Sequence, residues 1–119
     1  RELAARYNEL LVRLPVLTPL ESHDAESVYH LYVVRSKIRD ELLASLLSSK
    51  IPASIHYPTP VHLQPAYRDR VLLSGRTLSN TEQIAREILS LPIFPEMSDS
   101  DLRMVADAMR DCLAQERSR

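Results

Sequence analysis

Apolar residues recur at helical spacing from the first turn of the chain. Leu3, Tyr7, Leu10, Leu11 and Leu14 fall on one face, so residues 2–13 read as an amphipathic helix that Pro15 and Pro19 bring to an end. Residues 26–35 change the period. Val28, His30, Tyr32 and Val34 alternate with Tyr29, Leu31 and Val33, and both sets are largely apolar. That pattern predicts a central strand covered on both sides, with His30 inside the core. Ser36 is the expected N-cap of a second helix running to about Lys50, its buried stripe made of Ile38, Leu42, Leu43, Leu46 and Leu47. Residues 51–56 read as a short strand, held to an edge or to its first residues by Pro52.

The second half repeats the alternation less clearly. Residues 70–78 carry no legible pattern. Ser79-Asn80-Thr81-Glu82 has the form of a capping box, and the helix it opens would put Ile84, Ala85, Ile88 and Leu89 on one face. Residues 91–95 read as a brief extended piece. Ser98 is the expected cap of a last helix, with Asp99 and Asp101 at its positive end and Leu102, Val105, Ala106, Met109 and Leu113 as its stripe. The polar tail 115–119 is expected to fray. The order is helix, strand, helix, strand, loop, helix, short strand, helix. It predicts one α+β layer domain over residues 1–119, with a short, mostly antiparallel sheet and helices packed on one face.

Composition narrows the functional classes. Of 119 residues, 15 are basic and 16 acidic, giving a net charge of −1 and no electrostatic case for nucleic acid or an anionic membrane. No apolar run is long enough to span a bilayer. The single glycine, Gly75, excludes a Walker loop or a dinucleotide fingerprint, each of which needs several. Cys112 is the only cysteine and sits in a helical stripe, as a small core residue would. The chain opens on helical character without an initiator Met, as expected of a piece of a longer protein.

The candidate chemistry lies in residues 54–69, which hold two histidines, two tyrosines and three prolines. Proline fixes φ and bars the preceding residue from helix, so this is a stiff, shaped loop. His56 and Tyr57 stand where a strand gives way to it. His56 could bond a ligand oxygen or relay a proton near neutral pH, or it could merely cap the strand while Tyr57 packs on a proline ring. His62 and Gln64 alternate along the loop. A metal site from His56, His62 and Asp69 matches no zinc spacing, and loop polar groups bonded to backbone fit better. A Ser54, His56, Asp69 triad lacks a nucleophile elbow. Lys37 and Lys50, the only lysines, fall at helix ends where solvent is expected, not in the desolvated pocket a Schiff-base lysine needs.

Several blocks taken together are more specific than any one. Val28-Tyr29-His30-Leu31-Tyr32-Val33-Val34-Arg35, Arg39-Asp40-Glu41-Leu42-Leu43, Ile55-His56-Tyr57-Pro58, His62-Leu63-Gln64-Pro65-Ala66-Tyr67 and Leu89-Ser90-Leu91-Pro92, with Pro95 shortly after, occur in that order. Over nearly its whole length the chain resembles the C-terminal part of the DegT/DnrJ/EryC1/StrS family of pyridoxal-phosphate-dependent nucleotide-sugar aminotransferases. The resemblance implies the small C-terminal domain of a fold-type-I aminotransferase, packed over a large cofactor-binding domain. It implies a cytoplasmic homodimer that transfers an amino group, usually from glutamate, to a nucleotide-linked keto-sugar. The lysine and aspartate that hold pyridoxal phosphate would lie outside this chain, which alone would be inactive, and no catalytic, cofactor or metal residue is assigned within it. His56 would stand near the pocket mouth as a substrate-binding residue, with Tyr57 beside it, and His62 and Gln64 would shape the loop.

There are departures. Lys50-Ile51-Pro52-Ala53-Ser54 replaces a glycine-rich approach, and Arg70-Val71-Leu72-Leu73 replaces the Leu-Gly-Tyr common after the loop. The alternative is a free-standing α+β interaction or regulatory module. A domain that normally packs on another would expose an apolar patch of several hundred Å².

Overall fold

The computed structural model describes residues 1–67, 70 and 78–118. Asp69 and Gly75, and most of residues 70–78, therefore lie outside the described residues. Helix α1 spans Glu2–Leu11, strand β1 Tyr32–Arg35 and helix α2 Arg39–Ser48. A short 3-10 turn, Val61–Leu63, sits in the proline-rich loop. Helix α3 spans Ser79–Glu87 and runs without a loop into strand β2, Ile88–Leu91; helix α4, Asp99–Arg117, closes the chain. The expected α+β layering is present, and helix α4 packs along both α1 and α2.

The strands β1 and β2 are antiparallel, with Tyr32 opposite Leu91, Val33 opposite Ser90, Val34 opposite Leu89 and Arg35 opposite Ile88. Alternate residues of a strand point to opposite faces. Tyr32, Val34, Leu89 and Leu91 thus share one face and are fully or almost fully buried against Ala4, Tyr7 and Leu11 of α1, Leu42 and Leu46 of α2, and Leu102, Val105, Ala106 and Met109 of α4. Val33, Arg35, Ile88 and Ser90 form the second face. Of these only Ser90 is buried; the others are half-buried. Isolated bridges extend the sheet on both sides. Leu17 exchanges two backbone hydrogen bonds of 2.9 Å with Arg35, and Ser54 pairs with Ser90 at 3.1 and 2.8 Å.

The phenols in the core are paired. Tyr7 donates to the Pro92 carbonyl at 2.8 Å and Tyr32 to Asn8 Oδ1 at 2.6 Å, with the two rings 4.8 Å apart. Burial pushes both phenols well above the ordinary tyrosine range.

The structure corrects several local expectations. The first helix ends at Leu11 instead of residue 13. Strand β1 is four residues long, because Tyr29 has φ of 49° and the chain becomes extended only where β2 and Leu17 supply partners. His30 is consequently exposed and is no core histidine. The cap of α2 is Ile38, whose N–H is bonded by Ser36 Oγ at 3.2 Å, and Leu47 faces solvent. Residues 51–56 contribute one bridge, not a strand. The box at Ser79 does not form. The N-cap of α3 is Leu78, without a side-chain bond, and Ile88 and Leu89 belong to β2. The start of the last helix is as expected. Ser98 Oγ accepts from the Asp101 N–H while the Asp101 carboxylate takes the Ser98 N–H, and helix α4 continues to Arg117 instead of fraying from residue 115.

Candidate functional site

The corner around His56 is built from the second face of the sheet. Pairing of Ser54 with Ser90 holds the chain beside β2 just before the loop begins. Two residues later the His56 ring reaches back over β2, and its Nδ1 lies 2.9 Å from Ser90 Oγ. Ser90 stands between Leu89 and Leu91, whose side chains enter the core, so the strand period turns its hydroxyl to the opposite face. His56 itself is half-buried. The next peptide, His56–Tyr57, is cis. The Tyr57 ring meets the imidazole edge-on at 5.4 Å and is 73% exposed. An imidazole fixed on its inner side, with an exposed phenol next to it, offers hydrogen-bonding groups and an aromatic face to a polar, ring-bearing ligand.

The remaining candidates take other partners. His62 is tied through Nε2 to Glu82 Oε1 of α3 at 3.0 Å, with its side chain buried. The pair anchors the 3-10 turn to α3. Gln64 Nε2 donates to the Thr59 carbonyl at 3.5 Å within the loop. His23 is exposed, and Ser54 acts through its backbone. Among the described residues no three His, Cys, Asp or Glu side chains converge on a metal position. Asp69, considered both as a third ligand and as the acid of a triad, lies outside them. Cys112 is buried as expected, and Lys37 and Lys50 are both exposed.

A separate cleft of about 650 Å³ opens between Val16, Leu17, Ile38 and Leu113, with Lys37 and Glu87 on its rim. Glu87 accepts from Arg35 Nη2 at 2.7 Å. Hydrogen bonds from Gln83 and then Arg35 hold its carboxyl below the usual carboxylate range. Neither His56 nor Tyr57 lines this cleft.

Sequence reasoning missed Ser90 as part of the corner, because Leu89 was absorbed into a helical stripe. The available signal was a lone serine flanked by two leucines, which in a strand marks a polar position on the face away from the core.

A family profile described as the DegT/DnrJ/EryC1/StrS aminotransferase family matches residues 1–110. The chain is 41% identical over 110 residues to the dTDP-3-amino-3,4,6-trideoxy-alpha-D-glucose transaminase of Streptomyces venezuelae, covering 92% of this chain and 29% of that protein. It is 44% identical over 97 residues to the erythromycin biosynthesis sensory transduction protein EryC1 of Saccharopolyspora erythraea, covering 81% of this chain and 26% of that protein. The crystal structure of S. venezuelae DesV in complex with a ketimine intermediate superposes with a TM-score of 0.85 at 40% identity, over 92% of this chain and 30% of that one. The chain thus spans less than a third of the length of these relatives. Among the described residues, no helix is long and apolar enough to cross a membrane.

Proposed function

Because the chain belongs to the DegT/DnrJ/EryC1/StrS aminotransferase family, we propose that it is the C-terminal domain of a longer pyridoxal-phosphate-dependent transaminase. That enzyme passes an amino group from glutamate to a nucleotide-linked keto-sugar. The observation that carries this reading is the unbroken match over residues 1–110 to proteins more than three times as long. The name of the Streptomyces venezuelae relative, a transaminase of a dTDP-linked amino sugar, supports the substrate class. The complete enzyme is proposed to be a cytoplasmic homodimer.

The residues present here do not fit the cofactor. Both lysines are exposed, and neither has the desolvated surroundings that a lysine bonded to pyridoxal phosphate requires. No chemical step is therefore assigned to this chain. Its part is to bind and enclose. His56 contacts an oxygen of the sugar nucleotide, Tyr57 packs against it, and the proline-stiffened loop holds both at the pocket mouth with little conformational freedom to lose on binding. The clasp between His62 and Glu82 keeps that loop in place.

The test uses the complete gene product. Titration with pyridoxal phosphate should produce the long-wavelength absorbance of a bound cofactor, and glutamate with a dTDP-linked keto-sugar should give the amino sugar and 2-oxoglutarate. His56→Ala should raise KM for the sugar nucleotide by about tenfold, the worth of one hydrogen bond to a charged or polar partner. A gene product that binds no pyridoxal phosphate would remove the enzyme reading and leave a free-standing interaction module.

A further inference from the structure

The link between His56 and Ser90 has only one consistent direction. A serine hydroxyl carries one proton to donate and two lone pairs, whereas a neutral imidazole nitrogen either donates or accepts. Ser90 is 5% exposed, and its Oγ has a single hydrogen-bond neighbour among the described residues, His56 Nδ1. If Nδ1 carried the proton and Ser90 accepted it, the hydroxyl hydrogen would be left in a buried place with no acceptor. A buried donor left without an acceptor loses its hydration with nothing to offset it. If Ser90 donates, both groups are satisfied, and the ring proton must sit on Nε2.

The surroundings keep this arrangement in place. The Ser90 backbone exchanges both its hydrogen bonds with Ser54 and lies opposite Val33 across β1, so its Cβ direction is set by the sheet. Ser54 also fixes the chain two residues before His56, and the Tyr57 ring meets the imidazole at 81°. The inner corner of the ring is bound to a buried strand. The outer corner, on a half-exposed side chain, has no hydrogen-bond partner among the described residues.

We propose that Ser90 is the positioning residue for His56: its hydroxyl donates to Nδ1, holds the neutral ring as the Nε2–H tautomer, and presents that N–H to an acceptor oxygen of the ligand. The ligand contact rests on the sugar-nucleotide reading above, where the acceptor is a hydroxyl, keto or phosphate oxygen. The tautomer assignment does not rest on it. Ser90 itself touches no ligand. The inference also gives the loop its specificity: an N–H donor rejects a ligand that offers only another donor at that point, because two facing donors leave both unpaired.

The experiment is 15N spectroscopy of histidine-labelled complete protein at about pH 9, well above the ordinary imidazole range. The His56 signals are identified by their loss in His56→Gln. The expected wild-type spectrum has a pyrrole-type Nε2 and a pyridine-type Nδ1. Ser90→Ala should lower the tautomer preference about tenfold, one hydrogen bond's worth, and move both nitrogens toward the averaged values of free imidazole. Ser90→Thr, which keeps the hydroxyl and suits a strand, should restore the wild-type values. Thermal melts establish that each variant is folded.

A wild-type ring protonated on Nδ1 overturns the proposal, and this holds even if a variant fails to fold. Unchanged shifts in folded Ser90→Ala, or alanine-like shifts in folded Ser90→Thr, overturn it equally. A protein that shows the Nε2–H tautomer yet never transaminates would refute the proposed reaction while leaving the role of Ser90 intact.

Discussion

Arg39 carries a full charge and is only 8% exposed. Its Nη1 donates to the carbonyls of Ala85 at 3.2 Å and Ile88 at 3.0 Å, and its Nε to Asp40 Oδ1 at 2.6 Å. The last carbonyls of a helix have no partner within it. Here Arg39 takes two carbonyls at the junction of α3 and β2, and the Ser36 N–H takes that of Glu87 at 2.9 Å. That is why α3 can pass into β2 with no intervening loop. Replacing the guanidinium with an apolar side chain of similar length leaves those carbonyls without donors. Arg39→Met is expected to destabilise the fold by about 2 kcal/mol, measured by urea denaturation of the variant against the parent. A loss below about 0.5 kcal/mol, typical of a surface change, would mean that the carbonyls are satisfied without it. The role is invisible locally, because the two carbonyls lie 46 and 49 positions away.

At the scale of elements, legibility follows how local the deciding contacts are. Helix α4 was readable in all but its last turn because its cap, its acidic first turn and its apolar stripe agree within one stretch of chain. The start of α3 was misread because Glu82, which would have closed the capping box on Ser79, is bonded to His62 instead. The end of α3 was misread because Ile88 and Leu89 suit either period, and distant donors decide between them. The corner at His56 was half legible. The prolines announced the loop, but Ser90 joins it only through sheet pairing.

Helix α2 ends in a device that admits a direct test. The Lys50 N–H bonds the Leu47 carbonyl at 3.0 Å and the Ile51 N–H bonds that of Leu46 at 2.9 Å, the paired bonds of a Schellman ending. Lys50 fills the left-handed position with φ of 61°, where glycine is the unstrained residue. A side chain there costs about 1–2 kcal/mol, partly offset by the greater entropy glycine loses on folding. Lys50→Gly should therefore stabilise the protein by about 0.5–1 kcal/mol and raise its melting temperature by a few degrees, checked by calorimetry. A drop in melting temperature would show that the lysine has a contact worth more than the strain.

The whole molecule is asymmetric across its sheet. On one side the core face is sealed by α1, α2 and α4. On the other, Leu17 and Leu20 stand with Val33 and Ile88 around an open hollow, and Leu20 is 95% exposed. Val28 and Phe94 share a further hollow, and Tyr57 projects beside His56. In the longer enzyme proposed above, Leu20, Tyr57 and Phe94 should be covered, because a domain that packs on another buries apolar side chains at the contact. Hydroxyl-radical footprinting separates the possibilities. Oxidation of Leu20, Tyr57 and Phe94 should fall several-fold in the complete protein relative to the isolated chain. Met104 of α4 and Val12, just beyond α1, are exposed on the helical side and should be modified equally in both. Equal oxidation at all five positions would mean that the second face of the sheet meets solvent in the complete protein too, and that the His56 corner is not roofed by a partner region.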